Sequence, residues 1–160
     1  NNTKAVAEFI HSQVSGTLSA LETEIPYPED YQKMVDQVAA ENQSGYLPPL
    51  KETTIDPKTY DVIFIGFPTW GMRLPPPIKS SLTQHDFTGK TIIPFNTHAG
   101  YGVGSTFDEI KALCPHSNVL AGFSTEGGKE KEGRIYVMKD KKYLEVQSSI
   151  KQWLSQLGIL

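Results

Sequence analysis

Val62-Ile63-Phe64-Ile65-Gly66-Phe67 contains no polar side chain and is bracketed by Asp61 and Pro68. A strand with one wet face alternates apolar with polar residues, so a run this short and wholly apolar predicts a strand covered on both faces. That points to a parallel sheet. Thr91-Ile92-Ile93-Pro94-Phe95 predicts a second strand, with Pro94 placing it at a sheet edge or a bulge, because proline removes a ladder donor. Val119-Leu120-Ala121-Gly122-Phe123 predicts a third. Around these runs the apolar residues recur at helical spacing: Val6, Phe9, Ile10 and Val14; Tyr31, Met34, Val35, Val38 and Ala39; residues 76–82; Phe107, Ile110 and Leu113; and Val146, Ile150, Trp153, Leu154 and Leu157. Asn1, Asn2 and Thr3 are candidate caps for the first helix, with Gly16 as its stop. Residues 18–25 alternate well enough to predict a short edge strand, residues 45–58 a polar connection, and Ile135-Tyr136-Val137-Met138 an edge strand or hairpin arm. Helices alternating with strands in this order describe a doubly wound α/β domain.

The 160 residues, 38% hydrophobic and 21% charged, suit one domain over residues 1–160, with no repeat, low-complexity tract or linker. One cysteine, Cys114, can form neither an internal disulfide nor a thiolate metal cage, so an apolar core must hold the fold. A net charge of -3, mixed along the chain, gives no field for holding a nucleic-acid backbone. The longest apolar stretch, residues 62–68, is far below the roughly 20 residues of a spanning helix, which excludes a membrane span.

In open α/β sheets ligands lie beyond the carboxyl ends of the strands, which directs attention to the loops after Phe67, Phe95 and Phe123 and to the start of the first helix. Pro68-Thr69-Trp70-Gly71-Met72 presents a large indole just after a buried strand. Asn96-Thr97-His98-Ala99-Gly100-Tyr101-Gly102-Val103-Gly104 combines hydrogen-bonding side chains with glycines that let a backbone approach a ligand. Its glycines do not match a dinucleotide fingerprint, since the third falls one position early and the loop follows a late strand. There is no G-x-S-x-G elbow and no Walker lysine, and His11, His85, His98 and His116 lack ligand-like spacing. His11 reads as a helix-surface residue, Cys114 as a small packing residue, and His98 as a structural hydrogen-bonder or a donor to a bound ligand. No residue is expected to act as a catalytic nucleophile. Asn1-Asn2-Thr3-Lys4 opens a helix, where a hydroxyl and unpaired backbone N–H groups suit a phosphate.

Taken together, Asn2-Thr3-Lys4 before an amphipathic helix, Pro26-Tyr27-Pro28-Glu29-Asp30-Tyr31, Tyr60-Asp61 followed by the run to Phe67-Pro68-Thr69-Trp70-Gly71, and Ile93-Pro94-Phe95-Asn96-Thr97-His98-Ala99-Gly100 with Gly102 and Gly104 resemble the flavodoxin-like flavoproteins, in particular the flavodoxin-related oxidoreductases of bacteria. The resemblance implies a five-stranded parallel sheet of order 2-1-3-4-5 that binds FMN noncovalently. It places Asn2 and Thr3 at the end of the phosphate loop, and Pro68, Thr69, Trp70 and Gly71 beside the isoalloxazine. Thr97, His98, Ala99, Gly100, Tyr101, Gly102 and Gly104 fall on the pyrimidine side. Gly71 and Met72 stand where relatives often carry a second aromatic.

The expected function is an FMN-dependent redox protein, an electron carrier or a reductase of a small acceptor, with Trp70 or Tyr101 shielding the ring. The mild charge favours the reductase. The alternative is a flavodoxin-like module that has lost FMN and serves in interaction or regulation. Electron donor and acceptor are left open, as is the oligomeric state, a homodimer included. The single cysteine fits a cytoplasmic setting. The first strand of such a sheet, and the earlier phosphate-loop residues, are missing from residues 1–160 and are expected before Asn1, where an export signal would also lie.

Overall fold

The computed structural model describes residues 1–53, 55–128 and 136–160, and among these described residues it has four strands and five α-helices. Strand β1 (Val62–Pro68) pairs in parallel with β2 (Thr91–His98), Val62 opposite Thr91 through Pro68 opposite Thr97. On its other side β2 carries two short parallel strands, β3 (Asn118–Val119) and β4 (Phe123–Glu126). The helices are α1 (Asn2–Val14), α2 (Tyr31–Ser44), α3 (Pro76–Gln84), α4 (Thr106–Leu113) and α5 (Asp140–Gln156). Their ends follow local chemistry. Asn1 Oδ1 accepts from Lys4 N at the start of α1, Asp30 Oδ1 accepts from Lys33 N at the start of α2, and Gly45 closes α2 in the left-handed region.

The apolar run of β1 is explained by two buried clusters, one on each face of the sheet. Ile93, Phe95 and Phe123 pack with Ala5, Val6 and Ile10 of α1 and Val146, Ile150, Trp153 and Leu154 of α5, with Phe64 beside them. On the opposite face Phe67 and Ile92 pack with Leu74, Ile78, Leu82, Phe87, Ile110 and Cys114, with Ile63 and Ile65 beside them. Gly66 sits under the ring of Phe95, and a Cβ built on it would fall 2.1 Å from Phe95 Cε2.

Five expectations change. Pro94 lies in the most enclosed strand and not at an edge. Leu120 N donates to Ile92 O and Gly127 N to His98 O, so even-numbered residues of β2 face β3 and β4. The donor that Pro94 lacks therefore faces residues 120–122, where the neighbouring chain leaves the ladder. The strand expected over residues 119–123 is accordingly split in two. Ala121 O is taken by the Trp153 indole N–H at 2.9 Å, and the ring of Phe107 covers Gly122. Strand β2 also runs on through Asn96, Thr97 and His98, which the sequence reading placed in a loop. Residues 18–25 form no strand. Glu24 N donates to Pro49 O and Lys51 N to Glu22 O around one antiparallel bridge, Thr23 to Leu50, and Leu18, Leu21 and Ile25 stay exposed because no longer partner lies beside them. Of the run at 135–138, Ile135 lies outside the described residues, and residues 136–138 are not a strand.

Thr91 N donates to Asp61 O and Thr69 N to Thr97 O, so odd residues of β1 face β2 and even residues face away. Among the described residues no strand pairs with that outer edge. In a protein comprising residues 1–160, native-state amide exchange should therefore alternate, with Phe64 and Gly66 exchanging faster than Ile63, Ile65 and Phe67. Uniform protection along β1 would contradict this pairing. Gly66→Ala should cost about 1 to 3 kcal/mol in urea denaturation, because the buried Phe95 ring has nowhere to move.

Candidate functional site

Three segments converge at the carboxyl ends of β1 and β2: the start of α1, the turn after β1 and the loop after β2. Thr3 Oγ1 lies 2.7 Å from Thr97 Oγ1, which brings the amino end of α1 onto the end of β2. Thr69 hydrogen bonds through its N–H to Thr97 O at 2.9 Å and through its hydroxyl to Gly102 O at 3.1 Å, joining the turn to the loop. Asn96, 0% exposed, donates to Phe67 O and Thr69 Oγ1 and accepts from Ser124 Oγ. Every polar atom of this buried side chain is thus occupied, as burial demands.

The turn itself is tight. Trp70 and Arg73 exchange both backbone hydrogen bonds, at 3.2 and 3.1 Å, around Gly71 and Met72, whose φ angles of 58° and 61° are those of a type I′ turn. Glycine adopts such a φ freely, whereas for Met72 it costs about 1 to 3 kcal/mol. Outside contacts therefore have to hold the turn. Met72 O accepts from Ser105 N at 3.0 Å, and a Cβ on Gly104 would fall 2.0 Å from that oxygen, so only glycine lets the two backbones touch. The Trp70 ring is half-buried and belongs to neither core cluster. Its face or edge meets Tyr27 at 5.2 Å between centroids and 73° between planes. Tyr27 in turn donates to Glu41 Oε1 at 2.6 Å, and Gln37 donates to Glu41 Oε2 at 3.1 Å, with Glu41 only 7% exposed. Burial, together with the hydrogen bond and charge of Glu41, pushes the Tyr27 phenol far above its usual range, so it stays a neutral donor.

In the loop, His98 Nδ1 accepts from Gly100 N at 3.0 Å and Gly102 N at 3.2 Å. Two N–H donors on Nδ1 require a neutral ring with its proton on Nε2. Burial holds the His98 pKa below the usual range. Glu126 pulls it upward, and Lys142 adds to the lowering.

The sequence-predicted residues Asn2, Thr3, Pro68, Thr69, Trp70, Gly71, Thr97, His98, Ala99, Gly100, Tyr101, Gly102 and Gly104 all lie on these three segments. They differ in what they have to offer. Asn2 Oδ1 accepts from Val137 N, and the side chains of Thr69 and Thr97 are engaged within the protein. Tyr101 is 78% exposed. Residues missed by sequence reasoning include Tyr27, Glu41, Arg73, Ser105 and Glu109. Asp108-Glu109 at the start of a helix looks like ordinary complementation of the helix dipole, and nothing in the sequence joins Glu109 to Arg73.

The flavodoxin family model matches residues 1–140. The chain belongs to the flavodoxin family. Its fold is similar to that of a candidate flavoprotein from Bacteroides eggerthii, with a TM-score of 0.76 at 25% identity over 98% of this chain and 91% of that one. It is also similar to a flavoprotein from Lactobacillus acidophilus solved in complex with FMN, with a TM-score of 0.68 at 26% identity over 82% of this chain and 89% of the other. No match was found among curated proteins.

Away from this edge, a cavity of about 280 Å³ lies before β2 and β3, lined by His85, Phe87, Cys114 and His116 among others. Among the described residues no three His, Cys, Asp or Glu side chains could hold a metal ion, and no helix is long and apolar enough to cross a membrane. Burial raises the Cys114 thiol pKa, consistent with a packing residue in this flavodoxin-family core.

His98 has a consequence for pH. An unfolded chain protonates this ring near pH 6.5, whereas the folded one resists until lower pH, so the unfolded state binds more protons in that window. Stability linked to His98 is therefore untouched above about pH 6.5 and falls as the pH drops below it. Urea midpoints of wild type and His98→Gln should draw together on acidification through that range. By NMR the His98 ring should titrate below about 6.5, and a titration at or above that value would refute the hydrogen-bonding scheme.

Proposed function

We propose that this flavodoxin-family protein binds FMN noncovalently at the carboxyl edge of the sheet and acts as a redox protein, passing electrons to a small acceptor. The observation that carries the reading is the convergence of a helix start, an aromatic turn and a glycine-bearing loop, joined by Thr3–Thr97 and Thr69–Gly102. The chemistry of these groups suits the cofactor. The start of the 13-residue α1, with the Thr3 amide and hydroxyl, suits a phosphate without need of Lys or Arg, with Asn2 beside them, while Asn1 caps the Lys4 amide. Trp70, backed by Tyr27 and flanked by Pro68, Thr69 and Gly71, offers an aromatic wall. The backbone from Thr97 through His98, Ala99, Gly100, Tyr101, Gly102 and Gly104 offers polar groups for the ring edge, with the His98 Nε2–H as a further donor. The complex of the Lactobacillus acidophilus protein with FMN supports the same reading.

FMN when bound would supply the electron transfer itself. The chain's own residues bind, orient and exclude water, and none acts as a nucleophile. A net charge of -3 favours a reductase of a small molecule over a carrier docking on basic proteins. The buried single cysteine supports a reducing, cytoplasmic setting. We also read the sheet as five-stranded. The columns β1, β2 and β3 with β4 correspond to strands 3, 4 and 5 of the order 2-1-3-4-5, and the outward N–H and C=O groups of β1 leave room for a further strand.

The purified protein should be yellow, or should take up FMN at micromolar concentration. A colourless protein that binds none would overturn the reading in favour of a module without cofactor. Trp70→Ala should weaken FMN binding by roughly 1 to 3 kcal/mol and leave the urea midpoint of the FMN-free protein unchanged. A loss of about 3 to 5 kcal/mol in the FMN-free fold would mean instead that Trp70 is a packing residue.

A further inference from the structure

We propose that Glu109 is the positioning residue of this site: one carboxylate on α4 that latches the Trp70 turn to the loop after β2 and so fixes the aromatic wall before any ligand arrives. The inference rests on the flavin reading above for its consequence, but not for its geometry.

Glu109 Oε2 accepts from Leu74 N at 2.8 Å and from Ser105 Oγ at 2.9 Å, while Oε1 accepts from Arg73 Nη2 at 3.2 Å and Lys79 Nζ at 3.1 Å. Arg73 and Leu74 are the residues that leave the turn, and Ser105 is the residue that leaves the loop. One side chain therefore grips both segments just where Met72 O meets Ser105 N. The Ser105 hydroxyl has a single proton, which its shorter contact assigns to Glu109 over Met72 O at 3.4 Å. Lys79, the more enclosed of the two cations, also donates to Asn42 Oδ1, extending the grip to α2.

A turn closed by one residue pair, with Met72 at positive φ, does not hold itself. Charge-assisted hydrogen bonds are the strong kind, and four donors converge here on a side chain 18% exposed. Burial acts to raise the Glu109 pKa. The bonds from Leu74, Ser105 and Lys79 outweigh it and leave the pKa lowered, so the latch stays charged at neutral pH. The adjacent Asp108 lies on the same helical turn with the same charge but is exposed, which separates a latch from a simple effect of charge at a helix start.

The test compares wild type, Glu109→Gln and Asp108→Asn by FMN titration, by urea denaturation and by amide exchange in the FMN-free protein. Glu109→Gln sets an NH2 against donors, and it should lower FMN affinity by about tenfold or more. The Trp70, Arg73 and Ser105 amides should exchange faster by more than core amides such as Ile93, whose change tracks whatever general stability the urea midpoint loses. Asp108→Asn should match wild type. Wild-type affinity and loop exchange in Glu109→Gln overturn the proposal, and so does an equal loss in Asp108→Asn. If wild type itself binds no FMN, the flavin reading fails, and the exchange comparison still decides whether the latch exists. Should Glu109→Gln fail to fold, Arg73→Gln removes one donor from a side chain 45% exposed. It should cost about two- to threefold in affinity, and no loss there overturns the proposal.

Discussion

A buried primary amide has to satisfy its oxygen and both of its hydrogens, and Asn96 does so by tying three pieces of chain together. It holds the last carbonyl of the apolar part of β1, the hydroxyl of Thr69 and the side chain of Ser124 on β4. Thr69 then carries the connection to Gly102. The upper end of the sheet is thus registered by side-chain hydrogen bonding as well as by its ladder, and the segments that make the site start from one fixed point. Leaving any of these partners out would strand a buried polar group, at about 1 to 3 kcal/mol each. The geometry above it can rely on that penalty.

Much of the architecture was legible because periodicity reports burial. The unbroken run of β1 stated that both faces were covered, and the two clusters on either side of it are the reason. The helices were legible from spacing, and the start of α1 from its asparagine cap. What sequence could not reveal was how neighbouring segments compensate one another. Pro94 reads as an edge or bulge signal, and sequence alone does not say which, because its own residue type is all that sequence displays. Its tolerance depends on a gap at residues 120–122, which in turn depends on Trp153 reaching Ala121 O. Residues 18–25 alternate like a strand, yet a strand exists only through its partner, and Thr23 alone finds one.

The site divides the same way. Its positions were legible because fold and loop composition both point to the carboxyl edge. Its support was not, since Tyr27 is 43 residues from Trp70 and Glu109 is 36 from Arg73. Those contacts come from packing α2 and α4 against a turn whose own conformation is costly. A sequence reader sees a glycine and a methionine after the tryptophan. The cost of Met72 φ, and the need for something to hold it, emerges only in three dimensions.

The two tryptophans of the chain occupy opposite surroundings, and this has an optical consequence. Trp153 is enclosed between Phe64 and Phe123 with its indole N–H bonded to Ala121 O, so its emission belongs to the sheet and α5. Trp70 stands half in solvent at the rim, so its emission is redder and open to quenchers in the water. One chromophore reports the integrity of the framework and the other the condition of the rim. The molecule therefore contains its own reference channel, and a change confined to the red part of the emission reads the site against an internal standard.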